Sequence, residues 1–311
     1  MSSADSSSWP TTIITMYFNI KDFPDATPQV RPKSFYMDKG RATLELEAPM
    51  VVYCDETCLE DIKVLRGDRP TEYIVKPLVE YDFYKDHYPV IKKNREGNAM
   101  YVNHRNTTSY CLLTVFKFYA VHLAALRNPY KTSHFAWVDF GCSHILRDLP
   151  GDGPKMLAAP HPKISFCYIH YRGAADLTMT SEFGRGGLCG VSATCFTVEG
   201  SYVSRFYNGC MAIFHEMLVH KNCHHEEQIM AYFYDRYPEL CTIYYGDYYS
   251  VVGNYHGVKE DFPGIWSHFI VEAYHKNRSD LAKACAASIL DSVEKGRIVL
   301  AEHDISRLRS V

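Results

Sequence analysis

The sequence lacks an excess of charge of either sign, a long apolar run and a secretory signal. Its 311 residues carry a formal net charge of -3, so no surplus of Lys and Arg is available to neutralise a nucleic-acid backbone. No run approaches the roughly 18 consecutive apolar residues that a membrane span needs. The Ser-rich segment 1–10 has neither a basic nor an apolar region, which indicates a disordered tail and not a signal peptide. These absences favour a cytoplasmic protein that binds no nucleic acid and has no transmembrane segment.

A regular cysteine framework is also missing. The 11 cysteines are an odd number and are scattered through apolar segments, which is typical of buried free thiols in a reducing compartment. Cys54 and Cys58 are separated by three residues, but no Cys/His pair at zinc-site spacing follows them, so a structural zinc site is not expected. No internal repeat or low-complexity linker divides the chain. We therefore expect one domain over residues 11–311, closed by helices from about residue 262.

Short apolar or β-branched runs that end in polar residues predict buried strands followed by functional loops. Such runs lie at residues 11–18, 48–54, 61–65, 74–77, 134–138 and 164–171. Helices are predicted at residues 32–46, 110–126 and 201–236, and a Pro- and Gly-rich loop is predicted at 146–162. The alternation of strand and helix predicts an α/β fold in which helices cover both faces of a mostly parallel central sheet.

The segment FAWVDFGCSH, residues 135–144, delivers a carboxylate from the end of an apolar strand into a loop. Open α/β sheets bind ligands at this end of their strands, so Asp139 is a candidate for holding Mg or Mn against a diphosphate. The alternative is an Asp that caps a turn. The triplet Asp-Phe-Gly also occurs in kinases, but no His-Arg-Asp loop precedes it and no Gly-rich loop opens the chain, so a kinase is not expected.

Two further segments carry candidate site residues. In CHHEEQIM, Glu226 and Glu227 fall in the first turn of a predicted helix, where a carboxylate could deprotonate a hydroxyl or simply stabilise the helix dipole. In GDYYSVVGNYHGV, His256 is either a metal ligand or an exposed loop residue. Lys117 lies inside an apolar helix, where an ammonium without a partner is costly, and a donor phosphate or Asp139 would supply that partner.

Two other motifs fail on spacing. The histidines of HEMLVH, His215 and His220, are five residues apart, whereas a zinc-protease helix needs them four apart on one face. The glycine cluster 184–190 has neither the Lys-Ser/Thr of a P-loop nor the dinucleotide glycine spacing. It is expected to let the backbone approach a bulky ligand closely.

Taken in order, these segments resemble the HtrL/YibB/WlaTC family, a group of glycosyltransferase-like proteins of the GT-A type. The matching pieces are TIITMYFNI, MVVYCDE, Arg66, residues 110–117, FAWVDFG, GGLCG, EEQIM, YPEL and GDYYSVVGNY. The resemblance covers about residues 11–255 and leaves the C-terminal helices outside. Similar sugar transferases occur in bacterial surface-polysaccharide loci and in large algal viruses, and a chlorovirus-type origin agrees with the odd number of cysteines.

The resemblance implies a GT-A-like nucleotide-binding fold and the transfer of a sugar from a nucleotide sugar, such as a UDP-sugar, to a glycan hydroxyl. By this resemblance Asp139 and His256 would bind the divalent metal, and Glu227 or Glu226 would be the catalytic base of an inverting reaction. Glu227 is favoured, and the other glutamate is then expected to cap the helix or meet solvent. The donor would be held by residues at the ends of the first strands and in the apolar helix, namely Tyr17, Asp55, Arg66 and Lys117.

One departure from the GT-A pattern keeps other functions open. GT-A enzymes usually carry Asp-x-Asp at the end of a central strand, whereas this chain has Asp-x-Gly, with Gly141 in the last position. Metal independence is therefore an alternative, as is a catalytically inactive sugar- or nucleotide-binding protein on the same scaffold. A metal-dependent hydrolase that uses residues between His215 and Glu227 is a further alternative.

Overall fold

A computed structural model describes residues 9–96, 107–183, 190–222 and 225–311 of the chain. Its centre is a seven-stranded sheet in the order β3-β2-β1-β4-β6-β5-β7. Every neighbouring pair is parallel except the two pairs that involve β6, so the sheet is mostly parallel as predicted. The strands are β1 (Thr11–Tyr17), β2 (Met50–Cys54), β3 (Thr71–Val75), β4 (His134–Val138), β5 (Ile164–Tyr168), β6 (Val191–Glu199) and β7 (Cys241–Tyr245).

Helices cover both faces of the sheet, because alternate strand residues belong to two separate apolar cores. On one face lie α1 (Lys33–Leu44), α2 (Glu56–Arg66) and α5 (Leu149–Ala158). On the other face lie α3 (Asp82–Arg95), α4 (Thr108–Arg127), α6 (Val203–Val219) and α7 (Glu226–Arg236). The C-terminal segment adds α8 (Phe262–Ile265), a π-helical turn (Trp266–Val271), α9 (Glu272–His275), α10 (Ser279–Glu294) and α11 (Glu302–Arg309).

The strand order reverses between β1 and β4. From β1 the chain proceeds outward through β2 to β3, whereas β4 is added on the opposite side of β1. The loops that leave the carboxyl ends of β1 and β4 therefore lead away from each other along the sheet and open a crevice between them, which is where sheets of this kind bind ligands.

Several elements differ from the sequence-based predictions. The predicted strand 61–65 is part of helix α2, where Leu59, Ile62 and Leu65 recur at helical spacing. The predicted loop 146–162 contains helix α5, whose start Asp148 caps by accepting a hydrogen bond from the backbone N–H of Gly151. Pro150 lies in its first turn, where a backbone N–H would have no partner within the helix. The predicted helix 201–236 is two helices, α6 and α7. Strands β6 and β7 were not predicted.

Helix α4 is long and apolar enough, by length and composition alone, to cross a membrane. In the fold it is a core helix. Of its most apolar 18-residue window, 61% is buried inside the molecule, against α3, α6 and the sheet. Polar residues such as Lys117 and His122 interrupt its apolar ones, so α4 is not a continuous apolar run, and its burial is that of a core helix.

The nine cysteines within the described residues are all free thiols, and eight of them are buried. This agrees with the prediction of buried free cysteines. Burial raises the pKa of thiols such as Cys54, to about 12, so these side chains act as small apolar groups and not as nucleophiles.

Candidate active site

A cleft of about 230 Å³ lies at the crevice between β1 and β4. One wall is the loop after β1, and the opposite wall is the loop after β4. Helix α4 contributes Tyr110, Leu113, Thr114 and Lys117, which follow the i, i+3, i+4, i+7 spacing of one helix face. The aromatic rings that line the cleft are those of Tyr17, Phe18, Tyr36, Tyr110, Trp137 and Phe140.

The ammonium of Lys117 is the central polar group of this cleft. It donates hydrogen bonds to Asp139 Oδ1 at 3.2 Å, to Glu226 Oε1 at 2.5 Å and to the backbone carbonyl of Ala193 at 3.1 Å. It also lies 5.3 Å from the ring centroid of Trp137. The side chain is only 3% exposed, so the predicted contact between Lys117 and Asp139 is present and buried.

Burial alone would lower the pKa of Lys117, but the nearby charges of Asp139 and Glu226 more than offset this effect and raise it. Lys117 therefore stays charged. The carboxylate of Asp139 also accepts a hydrogen bond from Trp137 Nε1 at 2.6 Å, which orients it, and its side chain remains 37% exposed to the cleft. Its pKa is raised, chiefly by desolvation and then by the charge of Glu226.

The two glutamates of α7 point in different directions. Glu226 lines the cleft and is buried, and its Oε2 atom has no hydrogen-bond partner among the described residues. Glu227 is half-buried beside the cleft, where Tyr248 donates its hydroxyl to Glu227 Oε2 at 2.7 Å. The expectation that Glu226 caps the helix or meets solvent is therefore wrong, and Glu227 lies beside the cleft, next to Glu226, instead of among its lining residues. Lys117 draws Glu226 inward, and Glu227 lies about 100° further around the helix.

Desolvation, followed by repulsion from Glu226, raises the pKa of Glu227 to about 8. The hydrogen bond from Tyr248 opposes this shift without cancelling it. A carboxyl group with a pKa near neutrality is suited to exchange protons with a substrate.

A second cation at the cleft, Arg31, was not predicted from the sequence. Its Nη1 donates to His144 Nε2 at 2.9 Å, and its guanidinium lies 4.4 Å from the ring centroid of Phe35. The other ring nitrogen of His144 donates to the carbonyl of Gly141, which fixes the tautomer that can accept from Arg31. Nothing in the local sequence signals this pairing, because Arg31 and His144 are 113 positions apart.

Of the two predicted donor-binding residues at the ends of β1 and β2, Tyr17 lines the cleft and Asp55 does not. Tyr17 lines the cleft, with its ring 5.0 Å from that of Phe140 and its buried hydroxyl without a hydrogen-bond partner among the described residues. Asp55 follows β2 next to this wall but does not line the cleft, because it accepts hydrogen bonds from the backbone of Asn19 and from the hydroxyl of Thr57.

Arg66 does not reach the cleft. Its guanidinium is fully buried and uses all five donors, on the carbonyls of Leu44, Leu46, Ala48 and Pro70 and on the hydroxyl of Thr71. These acceptors precede β2 and β3, at the opposite edge of the sheet from the cleft. The prediction that Arg66 binds the nucleotide is therefore wrong, and its role is to tie α1 and α2 to the strand starts.

His256 is also remote from Asp139. It lines a different cavity, and its Nε2 donates to the backbone carbonyl of Lys155 at 3.2 Å. Its assignment as a metal ligand with Asp139 is therefore wrong. The hydrolase alternative fails in the same way, because His215 pairs with His87 of α3 at 3.1 Å whereas Glu226 pairs with Lys117. Across the described ranges, no three His, Cys, Asp or Glu side chains form a metal-binding group.

The carboxylates of Asp139 and Glu226 nevertheless fit a hard divalent cation that is shared with a diphosphate. Lys117 uses one oxygen of each, and the buried Oε2 of Glu226 is left without a partner among the described residues. Mg and Mn are commonly held by one or two carboxylates plus phosphate oxygens. A second Asp at Gly141 would be tightly packed, because its Cβ would lie 3.0 Å from the ring of Tyr36, which would have to shift by a few tenths of an ångström. The glycine cluster 184–190, apart from Gly190, lies outside the described residues.

The comparisons with known proteins place the chain in a family. No curated protein matches the sequence. Among solved structures, the chain is similar to the apo form of mouse xyloside xylosyltransferase 1, with a TM-score of 0.41, 10% identity, and coverage of 75% of this chain and 84% of that chain. The model of the HtrL_YibB family, described as bacterial proteins of unknown function, matches residues 9–256, which agrees with the resemblance in the sequence. The chain belongs to the HtrL_YibB family.

Proposed function

We propose that the protein is a glycosyltransferase that moves a sugar from a nucleotide sugar, such as a UDP-sugar, to a hydroxyl of a glycan acceptor. The observation that carries this proposal is the buried ammonium of Lys117, held by Asp139 and Glu226 on the floor of an aromatic cleft at the reversal point of the sheet. Lys117 offsets one of the two carboxylate charges, so this cluster suits a divalent ion shared with the departing diphosphate of a nucleotide sugar.

Donor binding would use the two walls of the cleft for different parts of the molecule. The rings of Tyr17, Tyr36 and Phe140 offer apolar faces for a base or a sugar, and carbohydrate and nucleotide sites commonly use such faces. Arg31 at the cleft wall would bind the diphosphate, and Lys117, whose three donors are taken by Asp139, Glu226 and the carbonyl of Ala193, would add positive charge beneath it. A divalent ion held by Asp139 and Glu226 would, when bound, supply further positive charge to the diphosphate.

The reaction would be a direct displacement at the anomeric carbon. The ionised form of Glu227 takes the proton of the acceptor hydroxyl as the acceptor oxygen bonds to that carbon, and the bond to the diphosphate oxygen breaks with its electron pair leaving on the diphosphate. Lys117 and Arg31 stabilise this leaving charge. A single displacement of this kind inverts the anomeric configuration. Glu226 is not assigned this role, because its Oε1 atom is held by the ammonium of Lys117.

Two assays with a panel of nucleotide sugars distinguish a glycosyltransferase from a non-catalytic binding protein on the same scaffold. First, the ligand that binds the native state raises the unfolding temperature by mass action. Second, an enzyme slowly hydrolyses that same donor in the absence of acceptor and releases nucleoside diphosphate. Stabilisation together with release is the expected result. Stabilisation without any release would support the binding protein, and no stabilisation by any nucleotide sugar would contradict the proposal.

A further inference from the structure

A second cavity of about 230 Å³ lies apart from the cleft, where His256 was found. It shares no lining residue with the cleft. Three segments that are distant in sequence form it, namely helix α5, the loop after β7 and the segment after α10. We call it the basic cavity, because among its lining residues Asp152 is the one carboxylate beside Lys155, His256, Lys259 and Arg297.

Asp152 holds two of these cations in place. Its side chain is only 7% exposed, and its two oxygens accept hydrogen bonds from Lys155 Nζ and Lys259 Nζ, both at 2.8 Å. Each ammonium has three donors, so each keeps further N–H groups for a ligand. The buried carboxylate therefore serves as an anchor that fixes two positive charges from α5 and from the loop after β7 at one wall.

The third cation, Arg297, has no such partner. Arg297 is exposed and lines the basic cavity, and its guanidinium forms no hydrogen bond or ion pair with any described residue. The backbone at Gly257 has a φ of 123°, and a Cβ there would lie 2.9 Å from Ser292 Oγ and 3.4 Å from Arg297 Cδ. Glycine at this position thus lets the segment that carries Arg297 pack directly against the loop that carries His256 and Lys259.

The charges of this cavity do not cancel. Three cationic side chains face one carboxylate, which leaves an excess of two positive charges before any proton on His256 is counted. Two further carboxylates lie near Lys259 without lining the cavity, namely Asp148 and Glu260, and Glu260 is paired with Arg147. A water molecule needs about 10–15 Å³, so the cavity has room for a group much larger than a single water.

We propose that the basic cavity is a binding site for a phosphate group, bound by Arg297, Lys259 and Lys155. Phosphate matches the fork of donors on a guanidinium, and fixed ammonium groups add point charges around it. The group could arrive as inorganic phosphate or as a phosphate monoester, and both present the same oxygens. This site does not depend on the proposed transferase activity, because none of its residues belongs to the cleft.

Titration with inorganic phosphate and with a sugar 1-phosphate tests the site, each against sodium chloride at equal ionic strength. We expect phosphate to raise the unfolding temperature of the intact protein. Arg297→Gln should weaken binding by about tenfold or more, because it removes a charge-assisted hydrogen bond. Arg205→Gln, at an exposed arginine of α6, is the matched control and should bind like the wild type.

Arg31→Gln separates this site from the cleft, since it should leave phosphate binding in the basic cavity unchanged. Equal affinities for the two ligands would indicate recognition of the phosphate alone, and tighter binding of the sugar 1-phosphate would indicate an ester as the ligand. Phosphate that stabilises no more than chloride would overturn the proposal. So would Arg297→Gln with wild-type affinity, provided that circular dichroism shows both proteins to be folded.

Discussion

Lys117 is the residue on which the site depends most. Replacement by Met keeps the length and the helix propensity of the side chain but leaves Asp139 and Glu226 facing each other without a cation. Removing one partner of a buried ion pair costs about 3–5 kcal/mol, so Lys117→Met should unfold at clearly lower denaturant concentration and bind the donor weakly. Chemical denaturation measures the first effect and donor titration the second.

The control for this variant is Lys283→Met, because Lys283 is exposed on α10 and forms no ion pair with any described residue. It should differ little from the wild type in either measurement. If Lys117→Met is as stable as Lys283→Met and binds donor equally well, the ammonium is neither paired nor used.

The two adjacent glutamates should respond differently to the same substitution. Glu227→Gln should preserve donor binding and lower the rate of transfer by about 10² to 10⁴, the usual contribution of a general base. Glu226→Gln should act mainly on donor binding and stability, because it removes a charged partner of Lys117. In steady-state kinetics, Glu227→Gln should lower kcat and Glu226→Gln should raise KM. The opposite assignment of these effects would move the base to Glu226.

For single residues, the sequence indicated which side chains belong to the site better than it indicated what those side chains contact. Lys117 could be singled out because a cation inside an apolar helix needs a counter-charge. Its pairing with Glu226 could not be predicted, because the two residues are 109 positions apart and meet only when α7 packs beside β6. The prediction that Arg66 binds the nucleotide was wrong for a related reason. An arginine near a strand looks the same in sequence whether its donors face a ligand or backbone carbonyls.

At the scale of elements, the packing of α1 shapes one wall of the cleft. Gly40 of α1 faces the ring of Phe140, and a Cβ built there would lie 2.2 Å from Phe140 Cε1. Gly40→Ala should therefore displace Phe140 from Tyr17, destabilise the protein by about 1–3 kcal/mol and weaken donor binding. Thermal unfolding decides the sign. In the absence of a clash, alanine would stabilise the helix by about 0.5–1 kcal/mol, so a more stable variant would contradict this packing.

Elements with a strong local pattern were predictable, and those with a mixed pattern were not. Strand β4 was predicted over its full length, and α1 and α4 within a few residues at each end, because apolar runs and capping residues mark them. Helix α5 was missed, since its glycines and prolines are typical of loops when its cap at Asp148 is not considered. The antiparallel β6 was missed because Ser, Thr and Ala residues separate its larger apolar ones, so it lacks the continuous apolar run that marks the predicted strands.

For the whole molecule, the raised pKa of Glu227 links stability to pH. The folded state keeps the proton on Glu227 up to about pH 8, whereas the unfolded chain releases it near the ordinary value of 4.5. Between these two values the folded state binds more protons, so this group's contribution to stability falls as pH rises. The wild type should lose stability relative to Glu227→Gln between about pH 5 and about pH 8.

Denaturant unfolding of both proteins across this pH range measures the difference. Glu294→Gln is the matched control, because Glu294 is exposed on α10 and forms no ion pair with any described residue. A constant difference between wild type and Glu227→Gln at all pH values would show that Glu227 titrates normally.

The fold class could be predicted from the sequence, whereas the set of residues that meet in the cleft could not. Strand and helix alternation indicated a mostly parallel sheet with helices on both faces, and the structure has this arrangement. The strand order was not predictable, and it decides which loops meet. It brings Asp139 together with Tyr17 at the reversal point, and it leaves His256 in a separate cavity.

The turnover of a nucleotide sugar by Asp139→Asn tests the central claim most directly. Asparagine keeps the shape of the side chain but removes the charge that Lys117 and a divalent ion would share, and Asp38→Asn at an exposed position is the control. We expect wild type and Asp38→Asn to release nucleoside diphosphate from one donor. Mn or Mg should stabilise both proteins only when nucleoside diphosphate is present. Asp139→Asn should lose the release and the metal-dependent stabilisation while remaining folded. Wild-type turnover by Asp139→Asn would contradict the claim.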